Sequence, residues 1–201
     1  MSKLDEKLTR AKIWRERATS DPSAQLKLIK GSQFDRMVGL EVMETMVPGR
    51  TIIDVGSHRG IIDYELSKWG PKAIHGFDIY QRGIETSQEI FTDVLVPSAF
   101  RVCDLSKGID LFRQEFADIL LPEYDIVMML AVFQHIKQQM TGPELKKLML
   151  YFTAICREYF VLRSPNFGQI DGFILEQGFE LVYYHNLGKE LSPVAIYERR
   201  K

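Results

Sequence analysis

The chain has 201 residues, of which 45% are hydrophobic and 26% charged, the ordinary range for one globular domain with a sizeable core. A formal net charge of -1 disfavours long nucleic acid as a partner, since proteins that make many phosphate contacts are usually basic, although a local basic patch stays open. The two cysteines, Cys103 and Cys156, lack the spacing of a zinc site or a disulfide framework and read as buried, unreactive thiols. The opening MSKLDEKLTRAKIWRER is too charged for a signal peptide, and no apolar run reaches the roughly 20 residues that span a bilayer, so a cytoplasmic protein with no membrane partner is expected.

Residues 3–18 carry Leu4, Leu8 and Ala11 on one stripe and predict a helix. After the break at Ser20-Asp21-Pro22-Ser23, a second helical stretch has Phe34, Val38, Val42 and Met46 recurring every four residues, and Pro48-Gly49 ends it. Thr51–Gly56 is a short β-branched run that predicts a buried strand. Further strands are predicted at 73–79, 100–105, 124–130, 159–163, 179–185 and 194–199. Helices are predicted at 60–69, 82–93, 109–120, 142–156 with Pro143 in its first turn, and 170–177. Strand and helix alternate from residue 51 to about 178, the mark of a parallel sheet covered on both faces. The last two strands have no helix between them and predict an antiparallel hairpin.

On such sheets ligands bind beyond the carboxyl ends of the strands. The first strand runs through Asp54-Val55-Gly56-Ser57-His58-Arg59-Gly60 into a helix. Gly56 permits a tight turn, and Gly60 lets the helix start close to the strand. Asp54 sets a carboxylate just ahead of the turn, where it would attract a cationic amine and repel a pyrophosphate; its alternative is an ordinary cap. Nicotinamide dinucleotides want G-x-G-x-x-G, whereas this spacing is G-x-x-x-G. S-adenosylmethionine has an ammonium, a sulfonium and no phosphate, and suits an acidic turn better. Asp78 ends the second predicted strand, placed to accept from both hydroxyls of a ribose. Asp104 ends the third, where it would accept from an adenine amine beside Leu105, or cap a loop.

IIDVGSHRG, HGFDI, RVCDL and YDIVMMLAVFQHI resemble, in order and spacing, the successive motifs of class I S-adenosylmethionine-dependent methyltransferases over roughly residues 50–200. The resemblance implies a doubly wound, mostly parallel α/β sheet of seven strands in the order 3-2-1-4-5-7-6 with the seventh strand antiparallel. Residues 49–201 would form this Rossmann-like domain, and residues 1–48 a helical extension packed on it or capping it. It implies cofactor contacts from Asp54, Gly56, Ser57, His58 and Gly60 at the first motif, Asp78 and Ile79 at the ribose and adenine, Asp104 and Leu105 at the adenine edge, and Leu130 at the end of the fourth strand. His58 departs from the pattern, which often has a second glycine there. The Asn/Asp-Pro-Pro-aromatic signature of nucleobase amino-methylation is absent.

His135, just past the fourth strand, is the candidate for accepting a proton or orienting the acceptor; otherwise it shapes the pocket wall. Arg163 and Ser164 end the fifth strand on the expected substrate side. Arg163 would clamp an acidic group or make a surface ion pair. Phe167 and Gln169 are expected to line the pocket from the following loop. Trp14, Arg15 and Arg17 would form a lid or cover a sheet face. Transfer of a methyl group to a small-molecule or metabolite acceptor is the expected activity, with no metal. The alternatives are a non-catalytic relative serving as a subunit and, less favoured, a nicotinamide-dependent oxidoreductase.

Overall fold

A computed structural model describes residues 36–186 and 192–201. The helix expected over residues 3–18, with Trp14, Arg15 and Arg17, lies outside the described residues.

Seven strands form one sheet in the order β3-β2-β1-β4-β5-β7-β6. They are β1 Thr51–Val55, β2 Ala73–Asp78, β3 Ser98–Val102, β4 Tyr124–Leu130, β5 Cys156–Arg163, β6 Phe179–His185 and β7 Val194–Arg199. β1 pairs in parallel with β2 and β4, as do β2 with β3 and β4 with β5. β7 is antiparallel to both β5 and β6, so the closing hairpin expected from the sequence is present and its second strand lies inside the sheet. Six helices connect the strands: α1 Ile61–Ser67, α2 Gln81–Ile90, α3 Ile109–Glu115, α4 Phe133–Gln139, α5 Gly142–Ala154 and α6 Phe167–Glu176.

Alternation along the strands sorts the apolar residues into two cores. On one face Ile53, Val55, Phe77, Val127, Met129 and Leu162 pack against Phe112, Phe133, Leu148, Phe152 and Ile174, from α3 to α6. On the other face Ile52, Ile74, Ile126, Met128 and Val161 meet Leu66 and Ile84 from α1 and α2. All five residues of β1 are buried, as a strand covered on both faces must be.

Several boundaries differ from the sequence expectation. The stretch before β1 is not a regular α-helix. Turns lead into a short 3-10 helix, Glu41–Thr45, and the fully buried apolar residues of the segment are Leu40, Met43 and Val47, while Val38, Val42 and Met46 of the expected every-fourth-residue series are only half-buried. β3 ends at Val102, so Asp104 lies two residues beyond it and caps the 3-10 helix Leu105–Lys107. β5 begins at Cys156, three residues before the expected start. α4 was expected only as a motif segment. Its seven residues are too few for a helical period to declare itself. α5 starts with a reciprocal cap, the Glu144 side chain accepting from the Thr141 amide and hydroxyl, with Pro143 in the first turn. Cys103 and Cys156 are buried and free, and burial pushes both thiols up to about 12.

Candidate functional site

The turn from β1 into α1 is built on backbone that bends the wrong way for most side chains. Gly56 has φ 89° and Gly60 φ 63°, both left-handed. The Gly56 and Ser57 amides both donate to the Phe77 carbonyl, at 2.7 and 3.1 Å, which pins the turn to the end of β2. A Cβ on Gly56 would lie 2.6 Å from the Val132 Cβ, so nothing larger than glycine fits there without displacing the β4–α4 junction. His58, in place of a second glycine, also adopts a left-handed φ of 53°. Two contacts hold it there: its amide donates to Asp78 Oδ2 at 2.9 Å, and its ring stacks on Tyr80 at 5.2 Å. Burial, reinforced by Arg36, lowers its pKa.

Asp78 is the last residue of β2, and its carboxylate organises two turns at once. Oδ2 accepts from His58 and Oδ1 accepts from the Tyr80 amide at 2.7 Å. A carboxylate oxygen accepts more than one hydrogen bond, so these contacts orient the group and leave acceptor capacity on it. Asp104 Oδ1 accepts from the Ser106 amide at 3.1 Å and hydroxyl at 2.6 Å, which makes it the loop cap that the sequence left as an alternative.

Next to the turn lies an open cleft. Its apolar walls are Phe77, Leu105, Val132 and Ile136, and its polar groups include Asp78, Asp104, Ser106, His135 and Gln139. Among the described residues, no lysine or arginine lines it. Ile79 stands at its edge, 60% exposed, an apolar surface available to a flat ring. Of the residues singled out in the sequence, Gly56, Asp78, Ile79, Asp104, Leu105 and His135 thus meet at one cleft.

The others do not line it. Asp54 is buried beneath the turn, 2% exposed, and Asp63 on the first turn of α1 is a second buried acid electrostatically coupled to it. Burial raises the Asp54 pKa to about 7, with Asp78 adding to the rise and Asp63 opposing it. Burial and Asp54 push Asp63 well above the usual carboxylate range. Ser57 is buried in the turn, and Gly60 immediately precedes α1. Leu130 joins the core on the opposite face.

The expected substrate residues take structural contacts instead. Arg163 is buried, and its Nη1 and Nη2 donate to the carbonyls of Arg36 and Val38 at 2.8 and 2.6 Å, tying down the segment before β1. A clamp on an acidic substrate would have to give these bonds up. Ser164 is fully buried and accepts from the Asn166 amide at 3.0 Å. Phe167 and Gln169 lie on α6 rather than in a loop, Phe167 against Tyr184 and Gln169 accepting from Lys137 of α4.

Sequence reasoning missed Asp63, which reads as an ordinary solvated acid in a helix's first turn. It also missed Val132, whose packing on Gly56 forms a cleft wall. No local pattern signals either contact, because α1 and α4 are brought to the turn only by the sheet.

Three buried polar atoms along the turn have no hydrogen-bond partner among the described residues: Asp54 Oδ1, Ser57 Oγ and His58 Nδ1. Buried polar groups are normally satisfied, so these three atoms could take a polar ligand group. A nucleoside with a charged amino-acid end matches both halves of the arrangement, the apolar acid-rimmed cleft and the polar turn beside it.

No family model matches the chain, and no curated protein matches it in sequence. Many solved structures share its architecture. The N-methyltransferase NodS from Bradyrhizobium japonicum WM9 aligns with a TM-score of 0.61 at 10% identity, over 90% of this chain and 99% of its own. A TehB-like S-adenosylmethionine-dependent methyltransferase from Corynebacterium glutamicum has a TM-score of 0.59 at 16% identity, covering 98% of this chain and 99% of its own. The ribosomal protein L11 methylase from Lactobacillus delbrueckii subsp. bulgaricus has a TM-score of 0.58 at 18% identity, over 82% of this chain and 77% of its own. With its strand order, antiparallel seventh strand and glycine turn, the chain has the class I, Rossmann-like fold of S-adenosylmethionine-dependent methyltransferases.

Proposed function

We propose that this protein binds S-adenosylmethionine and transfers its methyl group to a small-molecule or metabolite acceptor. The observation that carries the reading is the cleft at the carboxyl edge of β1 to β3, apolar inside, bordered by Asp78 and Asp104 and, among the described residues, lined by no lysine or arginine. Such a cleft suits a nucleoside that bears positive charge and repels a pyrophosphate. Asp78 would hold the ribose hydroxyls, Ile79 and Leu105 the adenine faces, and the polar atoms of the glycine turn the amino-acid end. When bound, the cofactor supplies a methyl group on an already cationic sulfur, so positioning of the acceptor in line with that bond supplies much of the catalysis. His135 lines the cleft on α4 and would orient an acceptor or take its proton.

Calorimetric titration with S-adenosylmethionine, S-adenosylhomocysteine and NADH tests the reading. The two sulfur nucleosides should bind and NADH should not; NADH binding alone would overturn it. Asp78→Ala should weaken both nucleosides by about 1–3 kcal/mol, the cost of leaving a ribose hydroxyl pair without its acceptor. A methyl-transfer screen over small metabolites then separates an enzyme from a cofactor-binding relative without activity.

A further inference from the structure

We propose that the recess at the amino ends of β4 and β5, on the edge of the sheet opposite the cofactor cleft, is a second small-molecule site that takes a monocarboxylate with an apolar alkyl or aryl body. This site stands independently of the cofactor reading above.

The recess has a volume of about 450 Å³, within the range of small-molecule sites. Ala117, Leu120, Leu121 and Pro122, which carry the chain from α3 into β4, form its wall together with Ile155, the residue between α5 and β5. No aspartate or glutamate lines it among the described residues. Its two polar side chains are Arg113 on α3 and Tyr151 on α5.

Hydrogen bonds and ring packing fix these walls in place. The Ile119 and Leu120 amides donate to the Phe116 carbonyl at 3.1 and 2.9 Å, and the Leu121 amide donates to the Tyr124 hydroxyl at 3.1 Å. That hydroxyl lies 2.7 Å from His75 Nδ1 on β2. The half-buried Tyr151 ring is set edge-on to Phe112 and Phe152, with centroid distances of 6.2 and 5.3 Å. The Arg113 guanidinium stands over that ring, 5.6 Å from its centroid. A cation already held on an aromatic face loses little further freedom when a ligand arrives.

Arg113 makes no ion pair among the described residues, and Asp110, one turn before it, is engaged by Lys147. Its positive charge therefore stands beside apolar walls without an anion. A carboxylate matches the guanidinium with two parallel hydrogen bonds and one balancing charge, while an apolar body covers Leu120, Leu121 and Ile155. A phosphate dianion would leave one charge unbalanced against a single arginine.

The test is an amide chemical-shift titration of the isotope-labelled full chain near neutral pH with three probes. Phenylbutyrate has the apolar body and the charge, phenylbutyramide the body alone, and acetate the charge alone. Phenylbutyrate should shift the amides of residues 113–121 and 151–155 saturably and bind about tenfold more tightly than phenylbutyramide, while acetate should not saturate. Arg113→Met should bring the acid down to the affinity of the amide. Ala117→Phe, which puts a ring into the recess, should abolish the saturable shifts for both. Excess S-adenosylhomocysteine should not displace phenylbutyrate. Equal affinity for acid and amide, a difference that survives Arg113→Met, shifts centred on residues 104–106 and 132–139, or no saturation by millimolar phenylbutyrate would overturn the proposal. Sedimentation of the ligand-free chain as a dimer, with exchange protection at this recess, would overturn it too, since a second copy would then fill the space. Should Ala117→Phe not fold, the wild-type titrations and Arg113→Met decide alone.

Discussion

Asp54 ties the protein's stability to pH. Its folded pKa is raised by burial to about 7, above the roughly 3.9 of an unfolded aspartate. A group raised in this way contributes stability that is complete below the unfolded value and is lost as pH climbs to the folded one. The protein should therefore lose stability from this group between about pH 4 and 7. Urea unfolding at pH 5 and pH 7 checks this. The wild type should weaken more on that step than an Asp54→Asn, Asp63→Asn double variant, whose buried amides do not titrate. Equal losses would show that the pair does not govern this range. At this scale the sequence is readable where a residue's role follows from its place on one strand. Asp78 ends β2 as the pattern of an apolar run followed by an acid indicates. Asp63 and Arg163 are not readable, because their partners, Asp54 and the carbonyls of Arg36 and Val38, lie on other elements.

The segment before β1 is held by contacts that an element-level pattern does not contain. Leu40, Met43 and Val47 enter the core shared with β1, α1 and α2, and Arg163 fastens the carbonyls of Arg36 and Val38 to the end of β5. Arg163→Met should keep the buried volume and remove both donors. It should cost about 1–3 kcal/mol and raise amide exchange over residues 36–47, leaving the amides of β1 and β4 protected. Uniformly faster exchange would instead mean that Arg163 supports the whole sheet. Helices and strands with a full period of apolar residues, such as α2, α5 and β4, are legible from spacing alone. α4 and the 3-10 turn at Leu105–Lys107 are not. They are too short to show a period, and they form because the chain must leave the sheet edge steeply, with Ala131 at a left-handed φ of 58°. Those short elements form part of the cleft wall, so that part of the wall carries no periodic signal in the sequence.

For the molecule as a whole, alternation of strands and helices announced a parallel sheet with a closing hairpin, and that sheet is present. Alternation does not set the order of strands. The order came from the resemblance of four successive motifs, and the sheet has it. Neighbours at 10–18% identity share the same architecture, one an N-methyltransferase and another a methylase of a ribosomal protein. The architecture thus persists under sequence change that leaves few residues in common, and the choice of acceptor is made by side chains that the shared backbone does not dictate.

β7 is made after β6 yet lies between it and β5, and this sets a timetable for biosynthesis. Until residues 194–199 emerge, β5 presents a bare, largely buried edge, and β6 has no strand to join. Arg199, at the end of β7, also bonds the carbonyls of Thr153 and Cys156 where α5 passes into β5. A nascent chain stopped at residue 193 should thus be sticky and readily cut by protease, and release of six more residues should close the sheet in one step. Limited proteolysis of ribosome-bound chains halted at 193 and, with a spacer, beyond 199 would show whether completion waits for that last strand.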